Sequence, residues 1–554
     1  MTVMDLHRRF APLLRHERLL VALLALALFL PGIGARDLWN PDEPRYAQVA
    51  REMLASGEFF VPHLNGRIYS EKPPLQFWAI ALCGAARGGV DEVAARLPAV
   101  FAAVAATLLL FALGRRLFDR ETAWIAAAVF ATSGKILLQG RIGQIDMLLI
   151  ALVTAAMYCW TRGLLEHRAG WYRLFFLFCG LATVAKGPVG LLPPLLAIVV
   201  FALVAGRREL LRELRIGRGL LLWAAPVAAW LLPAALRAGP AYLATLVLRQ
   251  NLERYADPWH HFQPWYYYLQ ILPGDFFPWS LLLPGALVAG WRTLRGERRE
   301  RFVWALCWVV VTLVFFSLSP GKRTVYILTM YPGLALALAA GLGELRRSWP
   351  RGRAWLEAPL LLLATVAGLA PLALPRLATR NRTEISLLGG WLVPATAVLL
   401  LLFAAAALLA WRAARRGRIG AAVGSLAAGT AAVALVAVTT ILPAFDLFKS
   451  ARSLSAELLA RAAPAEPYAI WPRLDATFLF YTGRFSEPLA TEAELRAFAA
   501  RPERVWLLAR RDELARLTPS LPLVEIARDA DPRRGYILLS QVPPAPAGEK
   551  EERR

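Results

Sequence analysis

The residues best suited to chemistry gather in L-W-N-P-D-E-P-R-Y-A, where Asp42 and Glu43 stand side by side just before Arg45. An ionised carboxylate steadied by a nearby cation can take the proton of a reacting hydroxyl, so Asp42 reads as a general base, with Glu43 beside it in the catalytic set. Asp146, in G-R-I-G-Q-I-D-M, is the further catalytic candidate. Plainer readings stand next to these: the adjacent acids can serve as partners of a helix end, and Asp146 can pair with Arg141. Lysine occurs only six times, and Lys72, Lys135, Lys186 and Lys322 each sit at the edge of an apolar run, in S-E-K-P-P, S-G-K-I, A-K-G-P-V-G and S-P-G-K-R. A compact ammonium suits a phosphate. A single lysine there is adequately explained by snorkelling to lipid headgroups, whereas Lys72, Lys186 and Lys322 together read as a phosphate pocket. His260 and His261 lie in N-L-E-R-Y-A-D-P-W-H-H-F-Q-P-W-Y-Y-Y; adjacent histidines rarely share a metal, so one of them would need a distant acid such as Glu71, and structural histidines are the simpler reading.

The elements that must position these groups follow from composition. The chain has 554 residues and is 57% hydrophobic, with a mean hydropathy of +0.46, which excludes an ordinary soluble protein. The net charge of +23 does not indicate nucleic acid, because the basic residues form short clusters between long apolar runs, as expected of charges that orient membrane helices. Cys83, Cys159, Cys179 and Cys307 show no metal or disulfide spacing. The first apolar run alone could pass for a signal peptide, but the many later runs favour an uncleaved first helix.

Windows of membrane length give about thirteen spans: 19–34, 92–113, 121–138, 146–161, 172–185, 188–205, 219–237, 269–290, 302–318, 325–343, 355–374, 391–410 and 420–441. Alternate connections, such as G-R-R-L-F-D-R and W-R-A-A-R-R-G-R, are rich in arginine and fall with the N-terminus on the cytoplasmic side. The stretch 73–88 is apolar enough to be a span, but counting it would invert every later cluster; it is therefore expected as a helix at the outer interface, within an outer loop 35–91. Domains are expected at 1–442 (membrane part), 443–545 (extracytoplasmic mixed α/β) and 546–554 (charged tail). Within the outer loop, Asn40, Pro41 and Glu43 spell a capping box opening a helix to about Ser56. Its stripe of Tyr46, Val49, Ala50, Met53 and Leu54 predicts a helix lying along the membrane surface.

On the outer face nucleotide sugars and ATP are absent, so a transferase there needs a donor carried through the membrane, such as a polyprenyl-phosphate sugar. Cations would bind its phosphate and a carboxylate would serve the acceptor hydroxyl. A transporter or flippase of a polyprenyl-linked lipid, and a transferase to protein Ser or Thr, are the alternatives; no internal repeat supports the transporter.

W-N-P-D-E-P-R-Y-A, V-P-H-L-N-G-R-I-Y-S-E-K-P-P, A-K-G-P-V-G-L-L, P-W-H-H-F-Q-P-W-Y-Y-Y and F-F-S-L-S-P-G-K-R-T-V-Y-I-L resemble the lipid A aminoarabinose (4-amino-4-deoxy-L-arabinose) transferase family, related to protein O-mannosyltransferases. The resemblance implies a polytopic α-helical membrane protein of GT-C type with about thirteen transmembrane helices and a small C-terminal α/β domain in the periplasm. It implies an inverting glycosyltransferase of the bacterial inner membrane, monomeric, taking sugar from undecaprenyl phosphate to a lipid or glycan acceptor such as lipid A. By motif, Asp42 takes the reaction-centre position and Asp146 that of a second pocket acid. Tyr69 and Lys72 match the donor phosphate site, and Arg45, Lys186, Arg254, Lys322 and Tyr326 complete the substrate-binding set. Glu71 with His260 or His261 matches a metal site, which would hold zinc. After Pro443 no motif matches, which leaves the acceptor open.

Overall fold

The computed structural model describes residues 16–246, 262–347, 352–380, 387–529 and 535–541. Long alanine- and leucine-rich runs become helices because only a backbone bonded within its own segment tolerates lipid. Eight helices among the described residues are long and apolar enough to cross a membrane, from Glu92–Leu117 to Ile419–Ala444, and Pro188–Val204 is a shorter apolar helix. All thirteen apolar windows are largely helical, but several are not single spans. The 121–138 window breaks into Arg120–Ala131 and Gly134–Gln139, and 269–290 breaks into Tyr267–Asp275, a 3-10 turn at Trp279–Leu281, and Leu283–Thr293. Pro273, Pro278 and Pro284 explain the second break, since each removes an N–H donor. Helices pack closely through small residues: a Cβ on Gly341 would collide with the backbone of Ala286 on a neighbouring helix.

The 73–88 stretch forms the helix Leu75–Arg87. At thirteen residues it reaches only about 20 Å, too short to span. The Asp42–Ser56 helix ends at Gly57 in the left-handed conformation, as its sequence suggests. Its start differs from the expected box: no side chain caps it, and the Asn40 amide instead donates to Asp475 Oδ2 at 2.7 Å. Its apolar stripe also does not lie on lipid. Tyr46, Val49, Ala50 and Met53 are buried with Phe77, Ile80 and Ala81 of the Leu75–Arg87 helix, because a protein partner was available to cover them. Beyond this helix, β1 (His63–Leu64) and β2 (Arg67–Ile68) form a hairpin whose turn residues, Asn65 and Gly66, both adopt positive φ. Asn-Gly is the sequence that a type I′ turn favours.

After Ala444 the chain builds a four-stranded sheet in the order β3-β4-β6-β5, with β3 (Tyr468–Trp471) parallel to β4 (Trp506–Arg510) and β6 (Tyr536–Ser540) antiparallel to both β4 and β5 (Val524–Arg528). Side chains alternate along β4: Trp506 and Leu508 face the helices Arg452–Arg461 and Ala476–Thr482, while Leu507 and Ala509 face Glu492–Ala499. A strand covered on both faces reads as a continuous apolar run, as V-W-L-L-A does. The helical patterns at 453–461 and 492–500 and the strand-like runs at 468–471, 504–508 and 536–540 in the sequence lie within two residues of elements here, whereas β5 and the helix Ala476–Thr482 have no such pattern.

Candidate active site

Six segments far apart in sequence close one cavity: the start of the Asp42–Ser56 helix, the loop after β2, the start of the Ile145–Glu166 helix, the turn that follows the Ala169–Lys186 helix, Leu246, and the stretch 316–326. Asp42, Glu71, Lys72, Asp146, Lys186 and Arg323 line it, with Tyr46 and Tyr326 among the aromatic walls. Each charge is placed by a local rule. Asp42 and Asp146 occupy first helical turns, where unpaired N–H groups favour anions. Lys186 ends its helix, where a cation is favoured.

Asp42 is buried and strongly coordinated. Its Oδ1 accepts from Arg45 Nη2 at 2.9 Å, and its Oδ2 accepts from Gln144 Nε2 at 3.1 Å and from Arg323 Nη2 at 3.3 Å. Arg45 also reaches Glu71 Oε2 at 3.0 Å, and the Tyr69 hydroxyl donates to the same oxygen at 3.3 Å. Burial opposes the charge of Arg45, but Tyr69, Tyr46, Asp42 and Glu71 around it raise its pKa overall. Asp146 pairs with Lys186, whose ammonium also lies 5.2 Å from the centre of the Tyr326 ring. The expected Asp146–Arg141 pair does not form: Arg141 turns to the carbonyls of Leu28 and Pro31.

Glu43 points elsewhere. Arg96 Nε reaches its Oε1 at 2.7 Å, Arg36 Nη1 its Oε2 at 2.7 Å, and the Gly143 N–H its Oε1 at 2.9 Å. It does not line the cavity. Burial alone would push Glu43 up, yet Arg96 and Arg36 outweigh it and hold it at about 2. The structure therefore does not bring Glu43 together with Asp42 and Asp146: its oxygens are occupied by Arg96, Arg36 and the Gly143 N–H behind the site.

Lys322 does not line the cavity either. Its ammonium donates to the carbonyls of Gln263 at 3.0 Å and Ser319 at 2.5 Å, so it braces its own loop while its neighbour Arg323 enters the cavity. Arg323 was missed because arginine is the common orienting residue of this chain and lysines drew the attention; its adjacency to Lys322 was the available signal. Gln144, two residues before Asp146, was also missed. Lys135 lies apart, on the short Gly134–Gln139 helix. Tyr69 packs its ring on Phe77, at 6.0 Å between centroids, and touches the site through its hydroxyl. Arg254, His260 and His261 lie outside the described residues. Among the described residues no group of three His, Cys, Asp or Glu gathers as a metal site, and Glu71 Oε2 is engaged by Arg45 and Tyr69.

Residues 16–248 match the dolichyl-phosphate-mannose-protein mannosyltransferase family. The chain is 34% identical over 367 residues to the undecaprenyl phosphate-alpha-4-amino-4-deoxy-L-arabinose arabinosyl transferase of Pectobacterium atrosepticum, covering 64% of each chain. It is 36% identical over 332 residues to transferase 1 of that name from Sodalis glossinidius, covering 58% of each. The matched stretch thus spans less than two thirds of these relatives. Among solved structures, ArnT from Cupriavidus metallidurans in the apo state superposes with a TM-score of 0.81 at 23% identity, covering 96% of this chain and 98% of that one. ArnT bound to undecaprenyl phosphate gives 0.79, covering 95% and 97%. The fold is therefore that of ArnT: apolar helices of membrane-spanning length with a small C-terminal sheet domain.

Proposed function

We propose that this chain is an inverting glycosyltransferase that moves a sugar, such as 4-amino-4-deoxy-L-arabinose, from undecaprenyl phosphate to a periplasmic lipid or glycan acceptor, lipid A among them. The observation that carries the reading is one cavity in which Asp42 and Asp146 face Lys72, Lys186 and Arg323. It works in the bacterial inner membrane as a monomer, with the cavity and the C-terminal domain on the periplasmic side. The names of the relatives and the undecaprenyl phosphate bound by the ArnT structure support the donor class.

In this reading the acceptor hydroxyl attacks the anomeric carbon as its proton passes to Asp42. The bond between that carbon and the phosphate oxygen breaks with inversion, and the polyprenyl phosphate leaves with its charge matched by Lys72, Lys186 and Arg323. Arg45 fixes Asp42 against Glu71, and Asp146 holds Lys186 in reach of the leaving phosphate. Zinc, if bound, would be held by Glu71 with His260 or His261 and would supply a fixed positive charge; metal content of the purified protein checks it.

The test is transfer of labelled sugar from undecaprenyl phosphate by the protein in lipid, offered a panel of acceptors that includes lipid A and a protein rich in Ser and Thr, beside Asp42→Asn. Label on a lipid acceptor with wild type alone supports the reading. Label on protein moves the acceptor to that of the mannosyltransferase family match. Donor binding without transfer to any acceptor favours a flippase and overturns it.

A further inference from the structure

We propose that Asp446 and Tyr481, in the C-terminal region, are positioning residues that set the placement of Asp42; their effect on transfer rests on the function proposed above. The four residues before Pro41 are each gripped by a side chain from beyond the last membrane helix. The Asp37 N–H donates to Asp446 Oδ2 at 2.9 Å, the Leu38 N–H to the Tyr481 hydroxyl at 2.8 Å, the Trp39 indole to Asp446 Oδ1 at 2.6 Å and the Asn40 amide to Asp475 Oδ2 at 2.7 Å. Tyr481 is itself fixed by donating to Glu92 Oε1 at 3.1 Å.

The carbonyl side of the same segment is held from the membrane part. Arg96, fully buried, donates to the carbonyls of Ile33 at 2.5 Å, Arg36 at 2.8 Å and Asp37 at 2.7 Å. An extended segment has no ladder of its own to satisfy its backbone groups. Here the membrane part takes the carbonyls of Ile33, Arg36 and Asp37 while the C-terminal part takes the N–H groups of Asp37 and Leu38 and the side chains of Trp39 and Asn40, and the helix bearing Asp42 begins where this grip ends. Three more bonds gauge the rest of the loop against the same C-terminal body. Arg51 Nη1 donates to the Phe480 carbonyl at 2.6 Å, and Asn65 and Ser486 exchange bonds of 2.8 and 2.9 Å. The hairpin turn at Asn65 leads directly to Tyr69, Glu71 and Lys72. Both strands of the loop that feed the cavity are therefore referenced to one sheet domain.

The experiment uses the full chain in lipid nanodiscs with Asp446→Asn and Tyr481→Phe. Asparagine keeps the shape of Asp446 but turns one acceptor oxygen into a donor facing another donor. Each variant is expected to lower kcat per folded protein by about 10- to 100-fold while donor KM moves less than about twofold, the mark of a misplaced reacting group. Amide hydrogen exchange at Asp37 in the first variant, and at Leu38 in the second, should rise about tenfold as one bond is lost. Arg496→Ala, which opens a surface pair with Glu492 in the same domain, should move neither. Unchanged exchange at these amides, raised exchange with unchanged kcat, or a kcat loss wholly explained by unfolded protein overturns the proposal. A wild type without transfer activity overturns the function instead, and exchange at Asp37 and Leu38 then still decides whether these residues hold the segment.

Discussion

Asp42 and Glu43 share a peptide bond, yet they serve two regions of different character. On the Asp42 side is a solvent-reaching cavity where Arg45, Arg323 and Gln144 approach one carboxylate and leave room for a substrate. On the Glu43 side is a closed knot in which Arg36, Arg96 and the Gly143 N–H use the carboxylate completely. A helix turns about 100° per residue, so neighbours at a helix start look in different directions. The difference teaches that an acid is available for chemistry when its surroundings leave it an open side, and that charge and position in sequence are equal for both.

Substitution of the two acids should separate the regions most sharply. Asp42→Asn is expected to reduce transfer by about 10²- to 10⁴-fold, as for loss of a general base, with the melting temperature of the protein in nanodiscs nearly unchanged. Near-normal turnover would remove Asp42 from the chemistry. Glu43→Gln should do the reverse, costing about 3–5 kcal/mol of stability because two buried arginines lose their acid; a wild-type melting curve would contradict the knot.

Acid titration sharpens the same contrast. Glu43 is held at about 2 in the fold against an ordinary 4.5. A depressed carboxylate contributes stability that is complete above the ordinary value and is lost as pH falls through the folded one. Wild type should therefore lose about 3 kcal/mol between roughly pH 4.5 and 2 from this group. Glu43→Gln should lack that part of the slope, as measured by thermal melting across the range. The smallest effects concern neighbours at the cavity edge. Arg323→Ala and Lys72→Ala should each weaken donor binding by about tenfold, as loss of one charge-assisted contact does, whereas Lys322→Ala and Lys135→Ala should change it less than about twofold. Equal effects of Arg323 and Lys322 on donor affinity would erase the distinction drawn between them.

How far the sequence reached varied with the kind of signal. The hydrophobic windows located helices well because lipid burial acts on every residue of a run, and the stretch 73–88 forms a helix too short to span. The breaks within 121–138 and 269–290 were not resolved, since proline both kinks and ends helices and the outcome depends on packing. Asp42, Asp146, Lys72 and Lys186 were legible from motif and location, and the cavity unites them. Arg323 and Gln144 were not, because nothing in a single arginine or glutamine tells whether it turns inward.

The membrane class, the helical runs, the mixed α/β C-terminal part and the short list of acids and cations at the edges of apolar runs are carried by the sequence alone. These depend on local composition and period, which each segment carries alone. The tertiary structure decided which acid faces the cavity, which of Lys322 and Arg323 enters it, that Lys186 and not Arg141 answers Asp146, and that residues 37–40 are held by a domain some four hundred residues later. Those choices depend on rotation about a helix axis and on partners brought from distant parts of the chain, and no window of sequence contains them.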